Sequence, residues 1–390
     1  MKKNKLCKIN RKLKILDWIL IIIVILAPMT GLRIGKIGPS EILCVLWIGL
    51  NYNYIHKIDI FFLSFWYGFI TIIFIGSIIG NINYPTESNF LGIFIWIYLA
   101  IVSIGTCTVI QSIPYQKIEK IINYISIGTS LWYSFIYLYS RQVSYYFFNA
   151  PLWYQNLRFS GGGTNPHQVA LLLAVASIIA FLKLIEEKGK LEFIYLICLL
   201  SLLFLLLQTR SSTGLMSVTI GVIYILFRKI WSLLKEREIK IMFIIIIIIS
   251  IVIGYSFVVD SFMNWVRSDP NGMGRFEIFM TIGNTFWKSP IFGLGPGTHG
   301  INGTIEFHNT YLEILAMGGL IGFGIFMLFS LKIFLKIYLD VLSASVMLCL
   351  YIFGFAGFSA RRLVFWLMIS YIYIYPQKKV IREERELNGK

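Results

Sequence analysis

The sequence predicts an all-α protein, a polytopic transmembrane bundle of about 12 helices. Three observations predict it. Hydrophobic residues make up 57% of the 390 positions and charged residues only 14%, too little polar cover for a soluble chain of this size. Ile-, Leu- and Phe-rich runs recur throughout, each near the ~20 residues an α-helix needs to cross ~30 Å of hydrocarbon. The basic residues are segregated by loop, most of them on the side of the basic amino terminus. Lipid leaves no partner for free backbone groups, and unbroken apolar runs, unlike alternating segments of ~10 residues, decide for helices over a barrel.

In order, the predicted spans are Ile15 to Met29, Ile37 to Ile55, Ile58 to Ile79, Phe90 to Ile110, Ile118 to Ser140 and Pro166 to Ile185. Six more run from Leu191 to Leu207, Thr213 to Trp231, Ile239 to Val259, Thr310 to Leu331, Tyr338 to Ser359 and Leu363 to Tyr375. The whole chain, 1–390, reads as a single membrane domain. With the basic amino terminus (Lys2, Lys3, Lys5, Lys8, Arg11, Lys12, Lys14) in the cytoplasm, roughly 25 of the 35 Lys and Arg fall on that side. The first span follows a charged start without a small-residue cleavage site and reads as a retained helix. The net charge of +16 is thus a topology and headgroup signal. No loop joins a long basic stripe to stacking aromatics, so no nucleic-acid partner is expected. Cys7 lies near the amino terminus; Cys44, Cys107, Cys198 and Cys349 lie in spans, which gives no disulfide framework.

Polar residues collect on the outer side. Two long outer loops stand out, 141–165 and 260–309, and long loops are disproportionately functional. The first ends in Arg158-Phe-Ser-Gly-Gly-Gly-Thr-Asn-Pro-His-Gln168. Asn165 reads as an N-cap with Pro166 at the first helical position, and Gln168 sits where a capping box places its return donor. The glycines let backbone approach a ligand or another segment closely. The second loop opens with GRFEIFMTIGNTFWK (274–288), a short amphipathic helix suited to the headgroup boundary. Turns follow at Ser289-Pro-Ile-Phe-Gly-Leu-Gly-Pro-Gly297, and then Glu306-Phe-His-Asn-Thr-Tyr-Leu-Glu313, where Thr310 and Glu313 read as a capping box.

The spans beginning at Pro166, Thr213 and Thr310 all present helix N-termini to the outer face, each beside a cationic or titratable residue: Arg158 and His167, Arg210, then Arg275 and His308. Free N–H groups, partial positive charge and arginines together suit a phosphate. The alternative for any single arginine is a snorkelling anchor at a span end. A carboxylate pair for a metal is not apparent, because Asp260, Asp269, Glu277 and Glu306 are dispersed; no metal or cofactor is expected.

The stretch GRFEIF…SPIFGLGPG…FHNTYLEILAMGGLIG resembles the signature of the O-antigen ligase and O-antigen/capsule polymerase superfamily. RFSGGGTNPHQVALLL and LLLQTRSSTGLMSV are similar to its upstream motifs, in the same order. The amino-terminal third matches in hydropathy alone, and the outer loop is shorter than in many members. The resemblance implies a GT-C-like membrane glycosyltransferase on the outer face of the bacterial inner membrane. It would transfer a glycan from an undecaprenyl-pyrophosphate carrier, with membrane lipids as further partners and a chain-length regulator as a candidate one. A polymerase extends another lipid-linked repeat unit; a ligase delivers the chain to lipid A core or another acceptor. On this reading Arg210 and Arg275 stabilise charge on the leaving pyrophosphate. His308 is the candidate general base or acceptor-positioning residue, its place before a helix N-terminus and near arginines favouring neutral imidazole. Arg158, Asn165, His167, Asn309, Gly295 and Gly297 form the candidate substrate-binding set, and Glu313 is a cap first and an acid second. His299 is a weaker candidate, and His56 has no case. A transporter or flippase is the competing class, but Asp17 and Asp340 lie at span ends rather than at the midplane.

Overall fold

A computed structural model describes residues 13–33, 37–51, 53, 58–86, 88–155, 157–234, 236, 275–299 and 306–388. The chain is an all-α bundle of membrane type. The helices are α1 (Ile15–Leu26), α2 (Pro39–Leu50), α3 (Ile60–Asn83), α4 (Ile93–Ser112), α5 (Tyr115–Gln142), α6 (Pro166–Glu186), α7 (Lys190–Gln208) and α8 (Ser212–Leu233). They continue with α9 (Arg275–Met280), α10 (Ile282–Phe286), α11 (Thr310–Ile337), α12 (Val341–Phe353) and α13 (Leu363–Asn388). Eleven of the twelve predicted spans fall on helices; the ninth, Ile239 to Val259, lies outside the described residues. Among the described residues, six helices are long and apolar enough to cross a membrane (α3, α4, α6, α7, α8 and α11, with α4 taken together with its leading turn from Phe90). Four boundaries differ from expectation. Among the described residues, the second span is helical over the twelve residues of α2, and the eleventh ends at Phe353 and gives way to 3-10 turns. The twelfth continues through Pro376 as helix to Asn388. The predicted amphipathic helix is two short ones, α9 and α10, separated at Thr281.

Helix α6 is the axis of the bundle, 83% of its apolar window being buried, whereas α7 reaches 28%. Its sequence explains this: Ala170, Ala174, Ala176, Ser177 and Ala180 carry small side chains that let α5, α7, α8 and α12 approach on all sides. The outer ring keeps large apolar side chains exposed, among them Leu46, Phe94, Leu131, Leu200 and Leu335. That is the surface a lipid environment requires.

The Pro-Ile-Phe-Gly-Leu-Gly turn (290–295) plugs a break in α11. Gly319, at φ 59° and ψ −162°, interrupts that helix, and the turn takes up the backbone groups thereby freed. The N–H groups of Leu294 and Gly295 donate to the carbonyls of Ala316 and Met317, both at 2.9 Å. The N–H groups of Leu320 and Ile321 donate to Pro290 and Ile291, at 2.8 and 3.2 Å. Non-helical backbone inside an apolar bundle is tolerated only when satisfied in this way. Gly76 of α3 makes room for the assembly: a Cβ there would stand 2.7 Å from the Phe292 carbonyl oxygen.

The first long loop, 141–165, holds two antiparallel strand pairs, β1 (Tyr146–Phe147) with β2 (Ala150–Pro151) and β3 (Trp153–Tyr154) with β4 (Arg158–Phe159). They lead the chain into its triple glycine. Gly161 and Gly162 are left-handed, at φ 54° and 88°. Gly162 accepts at its carbonyl from the Gly31 N–H at 2.8 Å, which docks the α1–α2 hairpin onto the start of α6. The glycines serve the approach of another segment.

Candidate anion site at one end of the bundle

Alternating helix direction brings the first turns of α6, α8 and α11 to one end, and two of them are joined directly by side chains. Asn165 caps α6, its Oδ1 accepting from the His167 N–H at 2.9 Å, with Pro166 at the first helical position as expected. Ser211 caps α8 by accepting from the Gly214 N–H at 3.2 Å. His167 spans the gap: its Nδ1 lies 3.0 Å from Ser211 Oγ and its Nε2 3.5 Å from Arg158 Nη2. Arg158 Nε donates to the Thr209 carbonyl at 3.0 Å and Nη2 to that of Arg210 at 3.4 Å. The guanidinium therefore completes the carboxyl end of α7, where a cation is favoured, while facing the amino ends of α6 and α8. Arg210, at φ 51°, follows this cap and is exposed.

The start of α11 forms the second half of the site. Its cap is Asn309, whose Oδ1 accepts from the N–H groups of Tyr311 and Leu312 at 2.9 and 3.1 Å. The expected Thr310–Glu313 capping box does not form, because Asn309 rather than Thr310 is the cap and the third residue after it is Leu312. Thr310 Oγ1 instead donates to the Gly357 carbonyl at 2.9 Å. The buried Glu313 carboxyl accepts from the backbone N–H groups of Phe307 and His308, pinning the strand of chain that carries the histidine. His308 itself is exposed at φ 52°, and Asn309 Nδ2 donates to Phe355 at 2.8 Å.

Arg275 opens α9, but its side chain lies outside the described residues, as do Asp260, Asp269 and the Glu277 side chain. Ile278 of α9 packs with Phe307 and Ala316, which holds this short helix against the His308 strand. Gly295 and Gly297 serve packing. Gly295, at φ 73°, sits against Ser77, and Gly297 bridges to Ser88. His299 is buried, with Nε2 2.7 Å from the Gly295 carbonyl. His56 is outside the described residues. Asp17 and Asp340 turn out to be helix-end groups, Asp17 near Lys117 (3.4 Å) and Asp340 capping α12.

Sequence reasoning missed the Arg361-Arg362 pair in the turn between α12 and α13, and misassigned Gln168. Arg361 pairs with Glu306. Gln168 does not return to its own cap. With its amide oriented to satisfy both ends, its oxygen accepts from Arg362 Nη1 at 2.8 Å and its nitrogen donates to Pro28 O at 3.3 Å, beside Thr30. A signal was present: the pair is a basic cluster between spans at the end away from most basic loops, against the general bias of the chain.

This geometry is that of a helical membrane protein with a cationic, helix-capped site at one end. A family model described as O-antigen ligase matches residues 195–327, which covers α8, the plugged turn, His308 and the first half of α11. The matched segment is about a third of the chain, and there the chain is similar to the O-antigen ligase and polymerase superfamily. No curated protein matches the chain.

Proposed function

We propose that the chain is a polysaccharide polymerase that transfers a glycan from an undecaprenyl-pyrophosphate carrier onto another lipid-linked repeat unit, at the outer face of the cytoplasmic membrane. The observation that carries this reading is the Arg158–His167–Ser211 chain of contacts joining the amino ends of α6 and α8 beside Arg210. Helix amino ends and guanidinium groups suit a diphosphate. In the reaction an acceptor hydroxyl oxygen attacks the anomeric carbon, the bond from that carbon to the phosphate oxygen breaks, and the lipid diphosphate leaves with the electron pair. His308 takes the hydroxyl proton. Arg210 and Arg275 stabilise the charge growing on the leaving group, the work a divalent metal performs in other transferases. Turnover in excess chelator tests that assignment.

A ligase is the second reading, favoured by the description of the matching family. Purified protein given only lipid-linked repeat units separates the two: longer chains support the polymerase, and their absence from folded protein that glycosylates a lipid A core acceptor supports the ligase. Translocation without either product would replace both with a flippase.

A further inference from the structure

We infer that Arg362 is an anion-binding residue of this site, holding phosphate oxygens of a lipid-linked diphosphate beside the amino end of α6, next to the residue that meets Arg158. The inference rests on the proposed function for the identity of its ligand, and on geometry for the site itself.

The turn carrying Arg362 is built between two of the helix amino ends. The Arg362 N–H donates to the Ser359 carbonyl at 2.9 Å, and the Ser359 N–H donates to Thr310 Oγ1 at 2.9 Å, in the first turn of α11. Trp366 Nε1 donates to the Ala360 carbonyl from the first turn of α13 and closes the turn from the other side. The Arg362 side chain then reaches α6, where Nη1 meets Gln168 at 2.8 Å. Its neighbour His167 meets Arg158 one residue earlier on the helix. Two successive residues at the amino end of α6 therefore each meet a guanidinium.

The charges at this corner do not balance. Three arginines gather here, Arg33, Arg361 and Arg362. Glu41 takes Arg33 and Glu306 takes Arg361. Among the described residues Arg362 has no ion-pair partner, and its contact with Gln168 uses one of the five N–H groups of a guanidinium. Arg362 as a residue is half-buried. Burial, and then the neighbouring Arg361, push the group down to about 10, which leaves it charged at neutral pH. A partly desolvated cation kept beside two others, with a neutral amide as its partner, is costly unless an anion completes it.

The test uses full-length protein in nanodiscs of phosphatidylcholine, with undecaprenyl diphosphate and inorganic pyrophosphate as separate probes. Arg362→Gln keeps a donor for Gln168 and removes the charge. Gln168→Glu keeps the size and supplies an internal carboxylate that competes for Arg362. Both are expected to weaken binding by about tenfold or more, the scale of a charge-assisted contact, with thermal unfolding unchanged. Arg362→Lys should restore part of the affinity. Loss confined to the lipid probe assigns the carrier headgroup, and loss with both assigns a general diphosphate site; either supports the inference. Unchanged affinity in folded Arg362→Gln and Gln168→Glu overturns it while leaving the function intact. Wild-type protein that binds neither probe overturns both.

Discussion

Arg210 and His308 occupy the same backbone position at two different helices. Each directly precedes an N-cap residue, Ser211 or Asn309, and each is left-handed, at φ 51° and 52°. Such a conformation in a residue other than glycine costs on the order of 1 kcal/mol and persists where surrounding structure enforces it. Here the enforcement is visible: Arg158 holds the carbonyls of Thr209 and Arg210, and Glu313 holds the N–H groups of Phe307 and His308. Arg210→Gly and His308→Gly should therefore unfold no earlier than wild type, and later by up to about 1 kcal/mol, while losing glycan transfer. Thermal unfolding beside a chain-length assay checks this; early unfolding of both variants would remove the strain argument.

Arg158 acts on two levels, completing α7 and facing the anion site. Arg158→Ala should lower transfer by about 100-fold and destabilise by roughly 1 to 2 kcal/mol through the lost carbonyl contacts. Arg158→Lys should recover stability better than activity, because an ammonium cannot serve Thr209, Arg210 and a phosphate together. Equal recovery of both would leave Arg158 with a capping role alone.

Two glycines of α11 should respond in opposite directions. At Gly319 the left-handed φ and the packed carbonyl of Ile291 leave no room for a Cβ. Gly319→Val should cost about 3 kcal/mol or more and release the plugged turn. Nothing stands within 4 Å of a Cβ at Gly324, so Gly324→Ala should raise helix stability by about 0.5 to 1 kcal/mol. Folded yield in detergent and melting temperature report both changes, and a neutral Gly319→Val would refute the plug.

Asn309 separates capping from charge. Asn309→Asp retains an acceptor for Tyr311 and Leu312 but loses the donor to Phe355 and places a carboxylate beside His308. Its stability should fall by less than the roughly 1 to 2 kcal/mol expected for Asn309→Ala, whereas its transfer rate should fall by about tenfold or more through repulsion of the diphosphate. Normal turnover in Asn309→Asp would place the anion away from α11.

The apolar spans were legible because hydrocarbon imposes one length and one polarity on every crossing. Asn165 with Pro166 was legible too, since capping is decided within a few residues. The capping box at Thr310 failed for the complementary reason: two adjacent residues could both cap, and the contacts of Thr310 with Gly357 and Ser359 settled which one was free to do so.

By itself, then, the sequence determined a helical membrane bundle, three polar helix starts, and the residues Arg158, His167, Arg210 and His308 as the chemistry worth following. Hydropathy and cap chemistry are local, so adjacent residues suffice to express them. Only the tertiary structure decided that the 290–295 turn plugs α11 at Gly319, that Gln168 turns away from its own cap, and that Arg362 joins the amino end of α6 from nearly 200 positions away. Those outcomes depend on which free backbone groups and uncompensated charges meet in space, and no spacing along the chain records that meeting.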